Sequence, residues 1–74
     1  MKKLIKILDA TSDYKLDYNF IVEVNQVRLE LFKKNNYINN LVITDDSKIF
    51  INFEGKENFS EVSTSELLNY FKNI

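Results

Sequence analysis

Residues 14–32 read YKLDYNFIVEVNQVRLELF, and their alternation decides the fold. Tyr14, Leu16, Tyr18, Phe20, Val22 and Val24 fall on one side; Lys15, Asp17, Asn19 and Glu23 fall on the other, with Ile21 the exception. A period of two marks a half-buried β-strand. Residues 27–33 alternate again, with Val27, Leu29 and Leu31 on the apolar side and Arg28 and Glu30 on the polar side. A two-residue turn at Asn25–Gln26 would join the strands, because Asn tolerates positive φ. That register sets Val24 opposite Val27, Val22 opposite Leu29, Phe20 opposite Leu31 and Glu23 opposite Arg28. Such pairs contribute about 0.2–1 kcal/mol each, and a one-residue slip would lose them all.

Further along, KNNYINN (residues 34–40) reads as turn or bulge. Leu41–Thr44 and Lys48–Glu54 form a second strand pair around Asp45, Asp46 and Ser47, and Gly55 ends it. Ser63 and Glu66 make an S-x-x-E capping box, with Val62 and Leu67 placed as a hydrophobic staple. Leu67, Leu68, Phe71 and Ile74 then form the apolar stripe of a C-terminal helix too short to stand alone. At the other end Met1, Leu4, Ile5 and Leu8 match helical spacing, predicting a short helix over 2–9, with an edge strand as the alternative. The expected architecture is one α+β domain over residues 1–74: a four-stranded, mostly antiparallel sheet carrying a C-terminal and a short N-terminal helix.

Composition bounds the chemistry. Asn, Lys, Ile, Phe and Tyr supply 37 of 74 residues, and Ala, Gly, Arg and Pro only three. The first group has AT-rich codons and the second GC-rich ones, so strand propensity and Asn counts partly reflect codon supply. The spacing of residues does not. A domain this small buries only about 60–65% of its unfolded surface and commonly adds a staple or a second subunit. With no Cys or His, disulfides are excluded and a structural zinc site is not expected. The same absences, with a single Gly, remove the usual general base, the thiol nucleophile and the Gly-rich phosphate loop. The chain therefore reads as a non-enzyme without cofactors. The absence of Cys fits a cytoplasmic location. The apolar N-terminus is broken at Lys6 and ends at Asp9, too short for a signal peptide, and no apolar run is long enough to span a membrane.

Net charge is −1, which argues against direct nucleic-acid binding. Two surface sets remain. Ile21, Phe32, Val42 and Phe50 point to the side expected to face solvent, either as scattered surface apolars or as a patch for a protein partner or a second copy. Asp9, Asp13, Asp17, Asp45, Asp46, Glu54, Glu57 and Glu61 fall mainly in turns and ends, where they could face a basic partner or simply be solvated. Stacking of RNA bases on Phe32 and Phe50, aided by Lys33, Lys34 and Lys48, is the reading from another class.

This small AT-rich chain with no catalytic inventory resembles products of phages that infect low-GC bacteria, which often disable one host protein. The segment Gln26-Val27-Arg28-Leu29-Glu30-Leu31-Phe32 resembles the bacterial sliding-clamp-binding peptide, whose hexapeptide form reads Q-L-x-L-x-L. Gln26, Leu29 and Leu31 match, Val27 replaces a Leu, and Phe32 follows as the aromatic does in the pentapeptide form. The same residues are the inward face of the predicted hairpin, and the two readings exclude each other. The chain is also similar in size and composition to small phage inhibitors of the staphylococcal sliding clamp. That likeness implies a homodimeric, cytoplasmic inhibitor of host DNA replication, seated in the clamp's basic DNA channel with carboxylates standing in for phosphates. An anti-CRISPR-type inhibitor of another host protein is the alternative.

Overall fold

A computed structural model describes residues 2–52 and 58–74. Its elements are α1 (Lys2–Asp13), β1 (Asp17–Glu23), β2 (Gln26–Lys33), β3 (Asn36–Thr44), β4 (Ile49–Ile51), β5 (Ser60–Val62) and α2 (Thr64–Lys72). The strands form one antiparallel sheet in the order β1-β2-β3-β4-β5. The fold is thus α+β with both expected helices, and the sheet has five strands rather than four. Gly55, Glu54 and Glu57 lie outside the described residues.

Nearly every reversal occurs without glycine. Lys15, Asn25, Lys34, Asn35 and Ser47 all take positive φ, a region that costs a non-glycine residue about 1–2 kcal/mol. At the end of α1, the Leu16 amide donates to the Thr11 carbonyl at 2.8 Å and the Lys15 amide to the Ser12 carbonyl at 3.1 Å. That is a Schellman closure with Lys15 at the left-handed position, and it drops Leu16 into the core. Lys34 and Asn35 together, at φ 52° and 67°, give the two-residue hairpin turn whose twist suits the strands it joins. The β3–β4 loop has three residues ending at Ser47, closed by bonds from the Thr44 amide to the Lys48 carbonyl and the Ser47 amide to the Thr44 carbonyl.

The first hairpin forms where the alternation placed it but two residues out of the expected register. Val22 pairs with Val27, Phe20 with Leu29 and Tyr18 with Leu31. The loop is Val24–Asn25, not Asn25–Gln26, with Asn25 at the positive-φ position. A shift of two leaves every side chain on its expected face, and Glu23 still meets Arg28, diagonally, at 3.4 Å. Of residues 34–40, Lys34 and Asn35 form the expected turn, while residues 36–40 belong to β3. They pair with β2 across a bulge, where Leu31 faces Asn39, Phe32 faces Tyr37 and Ile38 is the extra residue.

Both helices lie on one face of the sheet. Leu4, Ile7 and Ala10 of α1 and Leu67 and Phe71 of α2 are buried with Val27, Leu29, Leu31, Leu41, Ile43, Ile49, Ile51 and Val62. Helix α1 runs four residues beyond the predicted end and turns its face differently from the expected stripe. Ile7, Ala10 and Thr11 are buried, while Ile5 is exposed. The capping box of α2 is formed, with the Ser63 amide donating to Glu66 Oε1 at 2.9 Å and the Glu66 amide to Ser63 Oγ at 3.1 Å. Asn39 is buried on the helix side, where its Nδ2 donates to the Asn52 carbonyl and to Tyr70 Oη. The sheet is thereby tied to α2 at a polar point inside the core. Among the described residues no helix is long and apolar enough to cross a membrane.

Candidate functional surfaces

The sheet presents two apolar surfaces, one on each side. On the helix side the apolar side chains of β2 to β5 are buried, while those of β1 are not. Tyr18, Phe20 and Val22 face the same way as buried Leu31, Leu29 and Val27, yet they are 38%, 45% and 75% exposed, and Val24 in the loop is 87% exposed. The alternation therefore identified the face correctly, while its burial on β1 does not occur. Tyr14 continues the stripe, its ring edge-on to Phe71 at 6.5 Å between centroids.

The helix-free side carries the second surface. Cross-strand register aligns Ile21, Arg28, Val42, Phe50 and Glu61 in one row over all five strands. Ile21 and Phe50 are half-buried and Val42 is buried in the row rather than exposed. A shallow groove of about 470 Å³ follows this row, with Val42, Phe50 and Phe59 as its apolar lining and Glu23, Arg28 and Thr44 at its polar rim. Phe32 shares the side but stands four residues further along β2 than Arg28, beyond the polar row Asn19–Glu30–Asn40. There it packs edge-on against Tyr37, 5.9 Å between centroids. The predicted apolar set thus resolves into a triad, Ile21–Val42–Phe50, and a separate Phe32–Tyr37 pair. Phe59, which the sequence reading missed, joins the triad because β5 runs back along β4; no periodicity marked that short strand.

Electrostatics at the groove rim are set locally. Gln26 Nε2 donates to Glu23 Oε1 at 2.9 Å, and with the Arg28 guanidinium it holds the Glu23 carboxyl below its ordinary pKa. The Thr44 hydroxyl, and Lys48 at 3.7 Å, lower that of Asp46 in the same way.

Among the described residues the predicted acids do not assemble into one array. Asp9 and Asp13 lie on the later turns of α1, and Asp17 opens β1. Asp45 and Asp46 lie in the β3–β4 loop, which meets the opposite end of α1 through a bond from Lys3 Nζ to the Ser47 carbonyl. A 12-residue helix spans about 18 Å, so the two groups stand at opposite ends of the domain. Glu61, on β5, lines one hollow with Ser47 and Lys48 at the β3–β4 end. Among the described residues no group of acids is close enough to hold a metal ion. The lysines named for RNA are separated too: Lys33 Nζ donates to the Ile74 carbonyl at 2.6 Å, while Lys48 sits beside Asp46 at the other end of β3.

The clamp-motif-like segment is β2, an interior strand next to the edge strand β1. Gln26 and Phe32 are half-buried on the helix-free side; Val27, Leu29 and Leu31 are buried beneath the helices, the two leucines completely. Of the two exclusive readings of this segment, the inward strand face is the one the fold uses. No protein-family model, curated protein or solved structure matches the chain, so the functional reading rests on these surfaces.

Proposed function

We propose that the protein is a non-enzymatic inhibitor that binds another protein through the helix-free face of its sheet. The observation that carries this reading is the apolar pair Val42–Phe50, extended by the exposed ring of Phe59, with Arg28, ion-paired to Glu23, standing between it and Ile21 in the same row. An apolar centre with a polar, ion-paired rim is the usual anatomy of a protein–protein contact, and aromatic side chains in such a centre supply most of the binding energy.

The first target to test is the DNA sliding clamp of a low-GC bacterium, with a phage-encoded origin and a cytoplasmic site of action. This choice follows the chain's likeness in size and composition to small phage inhibitors of that clamp. Burial of Val27, Leu29 and Leu31 argues against the peptide-motif route, because a clamp pocket could reach them only by unfolding strand β2. The remaining route is a surface contact. Seating in the DNA channel would bring the two end groups, Asp9–Asp13–Asp17 and Asp45–Asp46, against separate stretches of basic wall.

Calorimetric titration of purified clamp with the whole protein tests this. Binding is expected, with Phe59→Lys weakening it at least about tenfold, the scale of a truncated aromatic anchor, and Asp9→Lys changing it less. Absence of binding would remove the clamp as target. Binding that withstands Phe59→Lys but is lost in the Asp45→Lys, Asp46→Lys double variant would move the contact from the apolar row to the acids.

A further inference from the structure

Strand β1 is a free edge of the sheet, and its geometry specifies what it can accept. Glu23 and Gln26 flank a two-residue loop and are paired, so they exchange both backbone hydrogen bonds, and the pattern alternates from there. Ile21, Asn19 and Asp17 therefore bond to β2. The N–H and C=O groups of Tyr18, Phe20 and Val22 point away from the sheet, and these three residues also carry the exposed apolar side chains. Natural edge strands are blunted by lysine, proline, a bulge or shortness. β1 has seven residues, no Lys and no Pro, and the one bulge lies between β2 and β3. The opposite edge, β5, has three residues with two exposed polar side chains. Only one edge is left open.

We infer that the occupant of this edge is a second copy of the chain, paired antiparallel through β1 about a two-fold axis at Ile21. Hydrogen-bond parity allows axes at Asn19, Phe20 or Ile21, and the side chains choose among them. An axis at Phe20 sets Asp17 against Glu23 of the second copy, twice, which like-charge repulsion opposes. An axis at Asn19 sets the Asp17 carboxylate against the apolar Ile21 of the second copy, twice, and leaves Val22 with no partner within β1. An axis at Ile21 sets Phe20 against Val22 and Tyr18 against Val24 on the helix side, and Asn19 against Glu23 on the other, an amide donor facing a carboxylate. It also places the two Ile21 side chains together, so the row Ile21–Arg28–Val42–Phe50 continues into its copy. The result is one sheet of twice five strands, and it covers the most exposed apolar residues of a domain too small to build a large core. This inference does not depend on the partner proposed above.

Sedimentation equilibrium of the whole chain, with no other protein present, is the test. A species of two 8.8 kDa chains is expected, with the amides of Tyr18, Phe20 and Val22 protected from hydrogen exchange. Val22→Lys places a charge on the edge at a side chain already three-quarters exposed, so the fold, followed by circular dichroism, should be retained. Dimerisation should weaken at least about tenfold, the cost of placing a charge in a desolvated contact. Ile21→Cys gives the only thiol in the chain, and at a non-hydrogen-bonded pair its copy lies about 4.5 Å away by Cα, within disulfide reach. Oxidation should yield the cross-linked dimer, whereas Asn19→Cys should not. A monomer at about 100 μM, where a contact of standard size would be populated, would overturn the inference. So would a dimer unaffected by Val22→Lys, or cross-linking of Asn19→Cys in preference to Ile21→Cys.

Discussion

β1 and β2 lie side by side and carry the same alternating pattern, but their apolar faces meet different fates. Leu29 and Leu31 are completely buried, while their cross-strand partners Phe20 and Tyr18 remain 45% and 38% exposed. The two strands share a pleat, a face and a register; what separates them is the reach of the helices. Periodicity reports which side chains share a side of a strand. Whether anything covers that side depends on where α1 and α2 lie, and that is a tertiary property.

The widest separation between the strands should appear on truncation of directly paired residues. Leu29→Ala removes a side chain held between β1, β3 and the helices and should cost about 2–5 kcal/mol in urea unfolding. Phe20→Ala, its partner across the hairpin, is already half solvated; measured on monomer it should cost well under half as much. Equal losses would mean that the helices cover β1 in solution, and the contrast between the strands would collapse.

Asn39 sharpens the same contrast from the helix side. It faces Leu31 across β2–β3 and reaches the Asn52 carbonyl and the Tyr70 hydroxyl, so it helps hold α2 over the centre of the sheet. Asn39→Ala leaves those groups without their donor and should cost about 1–3 kcal/mol. Because α2 does not lie over β1, exchange of the Tyr18, Phe20 and Val22 amides should change less than that of β3. Uniform acceleration along the whole sheet would contradict the uneven coverage.

These particulars also show how far the residues alone could be read. β2 was legible because it is an interior strand and its apolar face is covered along its length. The α2 cap was legible because a capping box is a contact between residues three apart and needs no tertiary context. The first hairpin was legible by face but not by register: with no glycine in the turn, Asn25 was read at the first loop position, and it stands at the second, at positive φ. Residues 36–40 looked like a loop because they are rich in Asn, yet Asn39 and Asn40 are strand residues whose identity reflects a polar contact or a polar row. Of the candidate sites, Ile21, Val42 and Phe50 were identified as one set by alternation and do share a row. Phe32, the acids and the lysines were grouped by residue type alone, and the fold separates them.

A smaller effect is expected where α1 hands the chain to β1. Lys15 occupies the left-handed position of the Schellman closure. Lys15→Gly relieves its steric cost but adds unfolded-state freedom, for a net gain of about 0.5–1 kcal/mol. The gain should appear in thermal unfolding with no change in the exposure of Tyr18, Phe20 and Val22, because the closure fixes where β1 begins and not what covers it. A loss of stability would show that Lys15 makes a contact worth more than its strain.

The smallest effect concerns pH, and it again divides the covered side of the sheet from the uncovered one. The Ser63 backbone amide and hydroxyl bonds lower the pKa of Glu66 from its ordinary 4.5. A carboxyl whose folded pKa is depressed stabilises the fold above its unfolded pKa and loses that contribution as pH falls through the folded value. Stability should therefore decline below about pH 4.5, and Glu66→Gln, which keeps an acceptor at the third position of the capping box, should flatten part of that decline. Glu23 is depressed as well, first by the Gln26 amide and then by Arg28, but it sits at the mouth of the β1–β2 hairpin, away from both helices. Its protonation should loosen the hairpin end before the helix side responds. Acid titration followed by amide exchange distinguishes the two: in Glu66→Gln, the residual decline should appear first at Ile21, Glu23 and Gln26. If instead the whole pH dependence disappears with Glu66→Gln, the hairpin end contributes nothing, and the stability of β1 is as independent of its own charges as it is of the helices.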